Sequence, residues 1–204
     1  LVRFRAARTL DEAARLAVQI ASGKTSVLTG EALYDQAWVE KQRGQFKPEQ
    51  KYLRGLFAGG TFCYQAQQIL QDAGVRVHSN APLGGNLELA DPWQSVEHTI
   101  VDLGAEVFTD GRAHPMLDAS LRRERLLAEA RDPQVAVLLL DFILGYGAAE
   151  DPAGDLVEAI TEAKRLVGGR GGSLAVVASV CGTEGDPQDY GRQVRLLEEA
   201  GAVV

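Results

Sequence analysis

The chain is short of cysteine, of long apolar runs and of positive charge, and each shortage excludes something. Two cysteines among 204 residues, Cys63 and Cys181, cannot build a disulfide framework, and neither has Cys-x-x-Cys spacing. A reducing cytosol fits best. No apolar run approaches the ~20 residues that span a bilayer, and the opening Leu1-Val2-Arg3-Phe4-Arg5 lacks the apolar segment of a signal peptide. The expectation is a soluble, cytoplasmic chain with no membrane contact. The 21 Lys and Arg fall below the 28 Asp and Glu, for a net charge of -7. Electrostatic binding to nucleic acid is excluded, because the excess that neutralises phosphates is missing. Proline is sparse at 7 residues, whereas glycine, at 22, is half again above its usual ~7%. A hydrophobic content of 46% suffices for one sizeable core.

Thr9-Leu10-Asp11-Glu12 reads as a capping box opening a helix to about Ala21, with Ala13, Leu16, Ala17 and Ile20 on one stripe. From Thr29 to Gln50 the chain is polar, and a linker or exposed hairpin is expected there, anchored by Trp38 and Phe46. Residues 1–50 are thus a helix and linker, and 51–204 an α/β domain. The missing Met and the final Val203-Val204, which read as a strand just begun, fit a piece of a longer polypeptide.

From Lys51 onward strands alternate with helices. Strands are expected at Tyr52 to Phe57, Val75 to Val77, Thr99 to Leu103, Val135 to Asp141 and Leu174 to Val180, and Asn80 to Asp91 as a loop. Helices are expected from Thr61 to Ala73, Asp118 to Ala130, Gly154 to Val167 and from Pro187 to near Ala200. Val135 to Leu140 is apolar without alternation, which suits a strand buried on both faces. The fold class is therefore α/β: a three-layer, open parallel sheet of flavodoxin-like kind.

Ligands of such a sheet bind beyond the carboxyl ends of the strands. Ala58-Gly59-Gly60-Thr61 joins a strand to a helix, so its N–H groups converge on one spot backed by the helix dipole, as phosphate or carboxylate binding requires. The alternative is a tight turn that needs Gly for geometry alone. It is neither a Walker A loop nor Gly-x-Gly-x-x-Gly, and Gly23-Lys24-Thr25 lacks the earlier Gly of a Walker A motif. Asp141 ends an apolar run and is a candidate orienting or catalytic acid, against the alternative that it caps its own turn. His114, with Arg112 beside it in Asp110-Gly111-Arg112-Ala113-His114-Pro115, suits an anionic ligand, against a plain solvated loop. Cys181 is a nucleophile only if a helix N-terminus lowers its pKa, and a small packed residue otherwise; Cys63 reads the same way. His78 and His98 are 20 residues apart and share no metal-ligand spacing, so no metal site is expected.

Five segments taken together carry a family resemblance: Tyr52 to Cys63, His98 to Gly104, Gly111 to Asp118, Leu139 to Gly147 and Val180 to Gln188. In this order and spacing they resemble the FdrA family, bacterial proteins similar to the alpha subunit of succinyl-CoA synthetase and to other acyl-CoA synthetases. The resemblance implies that a CoA-binding domain precedes this segment. It implies CoA and ATP as partners of the reaction, partner protein subunits or a homo-oligomer, an anion cradle at Ala58 to Thr61, and Asp141 near an acid that orients a phosphohistidine. Where the relatives carry that histidine in a Gly-His-Ala-Gly-like loop, this chain reads Cys181-Gly182-Thr183-Glu184-Gly185-Asp186-Pro187-Gln188, without His. Chemistry through phosphohistidine is accordingly not expected. The family is associated with carbamoyl transfer in ureide breakdown, as a subunit of an oxamate carbamoyltransferase, and carbamoyl phosphate is itself an acyl phosphate. The expected function is acyl-phosphate binding in such a subunit; the alternatives are a CoA ligase using ATP and a carboxylic acid, or a noncatalytic scaffold.

Overall fold

A computed structural model of the chain describes residues 9–22 and 36–204. The chain divides into two compact units, Leu1–Lys41 and Gln42–Val204. In the first, Thr9 Oγ1 accepts the Glu12 N–H at 3.1 Å and so caps α1 (Leu10–Ser22), the expected amphipathic helix. The residues from 36 that were expected to be linker or hairpin open with a helix instead, α2 (Gln36–Arg43), while Gly23-Lys24-Thr25 lies outside the described residues. No apolar stripe marks α2, since Glu40, Lys41 and Arg43 interrupt it.

The second unit alternates β1 (Tyr52–Phe57), α3 (Gly60–Asp72), β2 (His78–Ser79), β3 (Leu87–Glu88), β4 (Thr99–Asp102), α4 (Glu106–Thr109), α5 (Ser120–Arg131), β5 (Val135–Ile143), α6 (Gly154–Gly169), β6 (Ala175–Cys181) and α7 (Tyr190–Glu199). All six strands are parallel, in the order β3-β2-β4-β1-β5-β6. Val203 adds a parallel bridge to Val177 at the far edge. From β1 the chain crosses through α3 to β2 on one side, and from β4 it returns through α5 and α6 to β5 and β6 on the other, so right-handed crossovers put helices on both faces.

Leu138, Leu140 and Phe142 of β5 pack with Val176 and Ala178 of β6 against Leu126 of α5, Ile160 and Val167 of α6 and Leu197 of α7. On the opposite face Phe57 and Ile100 pack against Cys63, Ala66 and Leu70 of α3. Each fully buried Leu or Phe in these layers contributes roughly 1.5–3 kcal/mol, which explains why unbroken apolar runs settle in the centre of the sheet.

Three expectations need correction. The strand placed at Val75 to Val77 forms at His78–Ser79: the Val77 N–H goes to the Asn86 side chain at 3.2 Å, whereas the His78 N–H finds the His98 carbonyl at 2.8 Å. The loop from Asn80 contains β3, which pairs two residues with β2. β5 runs past Asp141 to Ile143, because β6 continues alongside it to Cys181.

Candidate active site at the carboxyl edge of the sheet

Register decides which side chains meet. Phe57 lies beside Asp102 of β4, and Leu56 beside Leu140 of β5, so the turn after β1 emerges between two aspartates, Asp102 and Asp141. This turn opens α3. Its N-cap, Gly59, is extended at φ -168°, places no side chain over the helix end, and has nothing within 4 Å of where a Cβ would be. The first turn of α3 therefore offers main-chain N–H groups without a side-chain cap, and they carry the positive end of a 13-residue helix.

Ala58 is held from below. Its N–H donates to Asp141 Oδ1 at 2.8 Å, and Arg122 of α5 donates through Nη2 to the same oxygen at 3.2 Å, to the Asp141 carbonyl at 2.6 Å and to the Leu56 carbonyl at 3.4 Å. Asp141 is 1% exposed and Arg122 4%. Burial pushes the Asp141 carboxyl above its usual range while Arg122 pulls it back, and burial lowers the Arg122 guanidinium. Asp141 thus does not stand at a strand end facing a loop, as expected. It lies two residues inside β5, beneath the turn and shielded from solvent.

Asp102 forms the other wall. Its Oδ1 accepts the Gly104 N–H at 2.9 Å, and its Oδ2 would be 3.3 Å from a Cβ on Gly60. Burial raises its carboxyl, an effect that the Gly104 N–H hydrogen bond partly offsets. A Cβ on Gly104 would fall 2.6 Å from both the Ala58 carbonyl and His114 Nε2, so the Gly104 backbone is the spacer on which turn, acid and imidazole converge. His114 Nδ1 accepts the Met116 N–H at 3.2 Å, which leaves Nε2 as the protonated nitrogen of the neutral ring.

The structure brings Ala58, Gly59, Gly60, Thr61, His114 and Asp141 to one edge. Arg112 it directs elsewhere: the guanidinium reaches Glu124 at 3.4 Å and sits 5.8 Å from the centre of the Trp93 ring. The buried cation beneath the turn is Arg122, ten residues on. Cys181 ends β6, two strands from β1, and Gly182 and Thr183 follow it. The Cys181 thiol is exposed, the Gly182 backbone packs so closely on Leu144 that a Cβ would lie 2.7 Å from it, and Thr183 is tied to the Asp186 carboxylate through N–H and Oγ1. Gln188 bridges this loop to the one after β5, accepting the Gly145 N–H and donating to the Gly145 and Ala149 carbonyls at 2.9, 2.9 and 3.1 Å. Between the loops lies an open cleft of about 510 Å³ lined by Tyr146, Gly147, Glu150 and Pro187.

The other histidines are occupied: His98 Nδ1 accepts the Leu53 N–H at 3.2 Å, and His78 faces Glu97 at 3.9 Å. Cys63 is buried, its thiol pushed up to about 12 chiefly by burial. Among the described residues no three His, Cys, Asp or Glu side chains gather as metal ligands, and no helix is long and apolar enough to cross a membrane.

Sequence reasoning assigned no role to Asp102 or Arg122. A signal existed for Arg122: it shares the buried stripe of α5 with Arg125, Leu126 and Glu129, at spacings of three and four.

This geometry can be set beside known proteins. Over 198 residues the chain is 39% identical to the uncharacterized protein YahF of Escherichia coli (strain K12), an alignment that takes in 97% of this chain and 38% of that protein. The chain spans well under half the length of this relative. Residues 56–204, which hold the whole parallel sheet from Leu56 on and every side chain of the edge just described, match the family model described as CoA-ligase. With most of its length inside that match, the chain belongs to the CoA-ligase family.

Proposed function

We propose that the chain is the anion-binding part of an acyl-CoA-synthetase-type enzyme of FdrA kind, and that the N–H groups of Gly59, Gly60 and Thr61 hold the phosphate of an acyl phosphate. The observation that carries this reading is the α3 N-terminus without a side-chain cap, opening between Asp102 and Asp141 with His114 Nε2 alongside. Donors already fixed in place stabilise negative charge as it develops on a leaving phosphate, because no reorganisation is needed at that moment. His114 Nε2–H adds a donor whose proton position is set by the Met116 N–H. A net charge of -7 is no obstacle, since main-chain N–H groups at a helix end need no basic surface.

Carbamoyl phosphate is the acyl phosphate favoured here, through the resemblance to the FdrA family, and the working unit is then a carbamoyltransferase with partner subunits. Titration calorimetry of the full-length protein with carbamoyl phosphate, CoA and ATP tests this. Saturable heat with carbamoyl phosphate is expected; no heat with any of the three refutes the reading. A second reading, CoA ligation of a carboxylic acid with ATP, is favoured by the CoA-ligase family membership. It requires an acid-labile phosphate label after incubation with ATP, and His114 is the histidine at the strand edge to inspect.

A further inference from the structure

Asp141 and Arg122 raise a question that the anion cradle does not answer. A buried ion pair is weak evidence for stability, since desolvation of both charges offsets most of their attraction. This pair is also incompletely satisfied: Arg122 Nε is buried without a hydrogen-bond partner, beside a cavity of about 10 Å³ lined by Ala58, Met116, Ala119 and Ile143. Apolar residues of similar size would fill the same space without that cost. What the pair does achieve is positional. One guanidinium nitrogen bonds the Leu56 carbonyl of β1 and both the carbonyl and carboxylate of Asp141, and that carboxylate holds the Ala58 N–H. Three elements are thereby fixed immediately before the first N–H of the α3 terminus.

We infer that Arg122 and Asp141 are positioning residues for the anion cradle: neither touches the ligand, and together they turn the Ala58 N–H inward so that the next three N–H groups face the strand edge. The inference rests on the proposed anion-binding reading. The Asp141 carboxyl is spent on the main chain, and Arg122, bonded to both its Oδ1 and the Asp141 carbonyl, keeps it aimed.

Two double variants of the full chain separate this role from packing. In Arg122→Met/Asp141→Asn both buried charges are gone but an amide oxygen remains to accept the Ala58 N–H; in Arg122→Met/Asp141→Leu the acceptor is gone as well. The readouts are backbone amide NMR: hydrogen exchange of Ala58, Gly59, Gly60 and Thr61, and the shifts of the last three during titration with inorganic phosphate. With both variants folded, the Asn variant is expected to recover slow exchange at Ala58 and a phosphate affinity within about threefold of the parent. The Leu variant is expected to exchange Ala58 at least tenfold faster and to lose at least tenfold in affinity. Equal affinity and equal exchange in the two variants overturn the inference. If the parent protein shows no phosphate-dependent shifts, the anion-binding reading fails, and the exchange rates of Ala58 to Thr61 still decide whether the pair orders the turn. A general loss of dispersed signals in both variants assigns the pair to folding and also overturns it.

Discussion

Gly104→Ala measures how tightly the edge is assembled. The added methyl would lie 2.6 Å from the Ala58 carbonyl and from His114 Nε2, and 3.2 Å from Asp102 Oδ1. An ordinary carbon–oxygen contact is about 3.3 Å or longer, so something must move by more than half an ångström. Imidazole can rotate; the Ala58 carbonyl, as main chain in a turn whose preceding N–H is held by Asp141, gives less readily. Overpacking of this kind costs about 2 kcal/mol. Against it stands the stiffening of the unfolded chain on replacing Gly by Ala, about 0.4–1 kcal/mol, which is available because Gly104 has no positive φ. The clash wins, for a net loss of about 1–1.5 kcal/mol and a fall in Tm of about 2–6 °C. Gly168→Ala is the control: it lies in α6 with nothing within 4 Å of its Cβ position, so Tm should rise by about 1–4 °C. Thermal melts of both variants and of Gly104→Ala/His114→Ala decide the matter. Relief by His114→Ala should be partial, since the carbonyl remains. A Gly104→Ala protein as stable as Gly168→Ala, or one fully rescued by removing the imidazole, would refute the convergence of turn, acid and histidine.

Two further outcomes follow from other parts of the molecule. Asp151 accepts from the two terminal Arg192 guanidinium nitrogens at 2.7 Å each, and these hydrogen bonds, more than any other cause, hold its carboxyl down to about 2 against a usual 3.8. A depressed folded value means stability that is present above pH 3.8 and lost as pH falls toward 2, so Asp151→Asn should flatten that part of the acid unfolding curve; the pair is partly exposed, so the effect is small and salt-dependent. If the acid limb is the same in both proteins, Arg192 does not hold the carboxylate in solution. Thiol labelling at neutral pH should modify one cysteine per folded chain, the exposed Cys181, while Cys63, fully buried and raised to about 12, reacts only after unfolding. Two fast equivalents would contradict the packing of α3 on the sheet.

The parallel sheet was legible from residues alone because Val135 to Leu140 and Leu174 to Val180 have no polar break long enough to leave the core. The two shortest strands were not. β2 and β3 pair over two residues each, Leu87 and Glu88 are exposed, and the local backbone hydrogen bonds rather than apolar burial choose their register. The strand-to-helix turn could be read from its two glycines, yet Arg112 was named and Arg122 was not, because Arg112 stands beside His114 in sequence. Arg112 lies in the loop before α5 and reaches Glu124, whereas the first turn of α5 brings Arg122 beneath the turn after β1. Asp102 carried no mark of its own: an acid at the end of a four-residue strand becomes informative only when the register sets Phe57 beside it.

The Gln188 carboxamide has a consequence for engineering. By bonding the Gly145 N–H, the Gly145 carbonyl and the Ala149 carbonyl, while the Gln188 main-chain carbonyl receives the Gln193 side chain, it welds the loops after β5 and β6 into one mechanical part. A graft of either loop into another CoA-ligase scaffold severs that weld. The pair has to be transplanted together, with Gln188 and Gln193 included, or the cleft between them will not keep its shape.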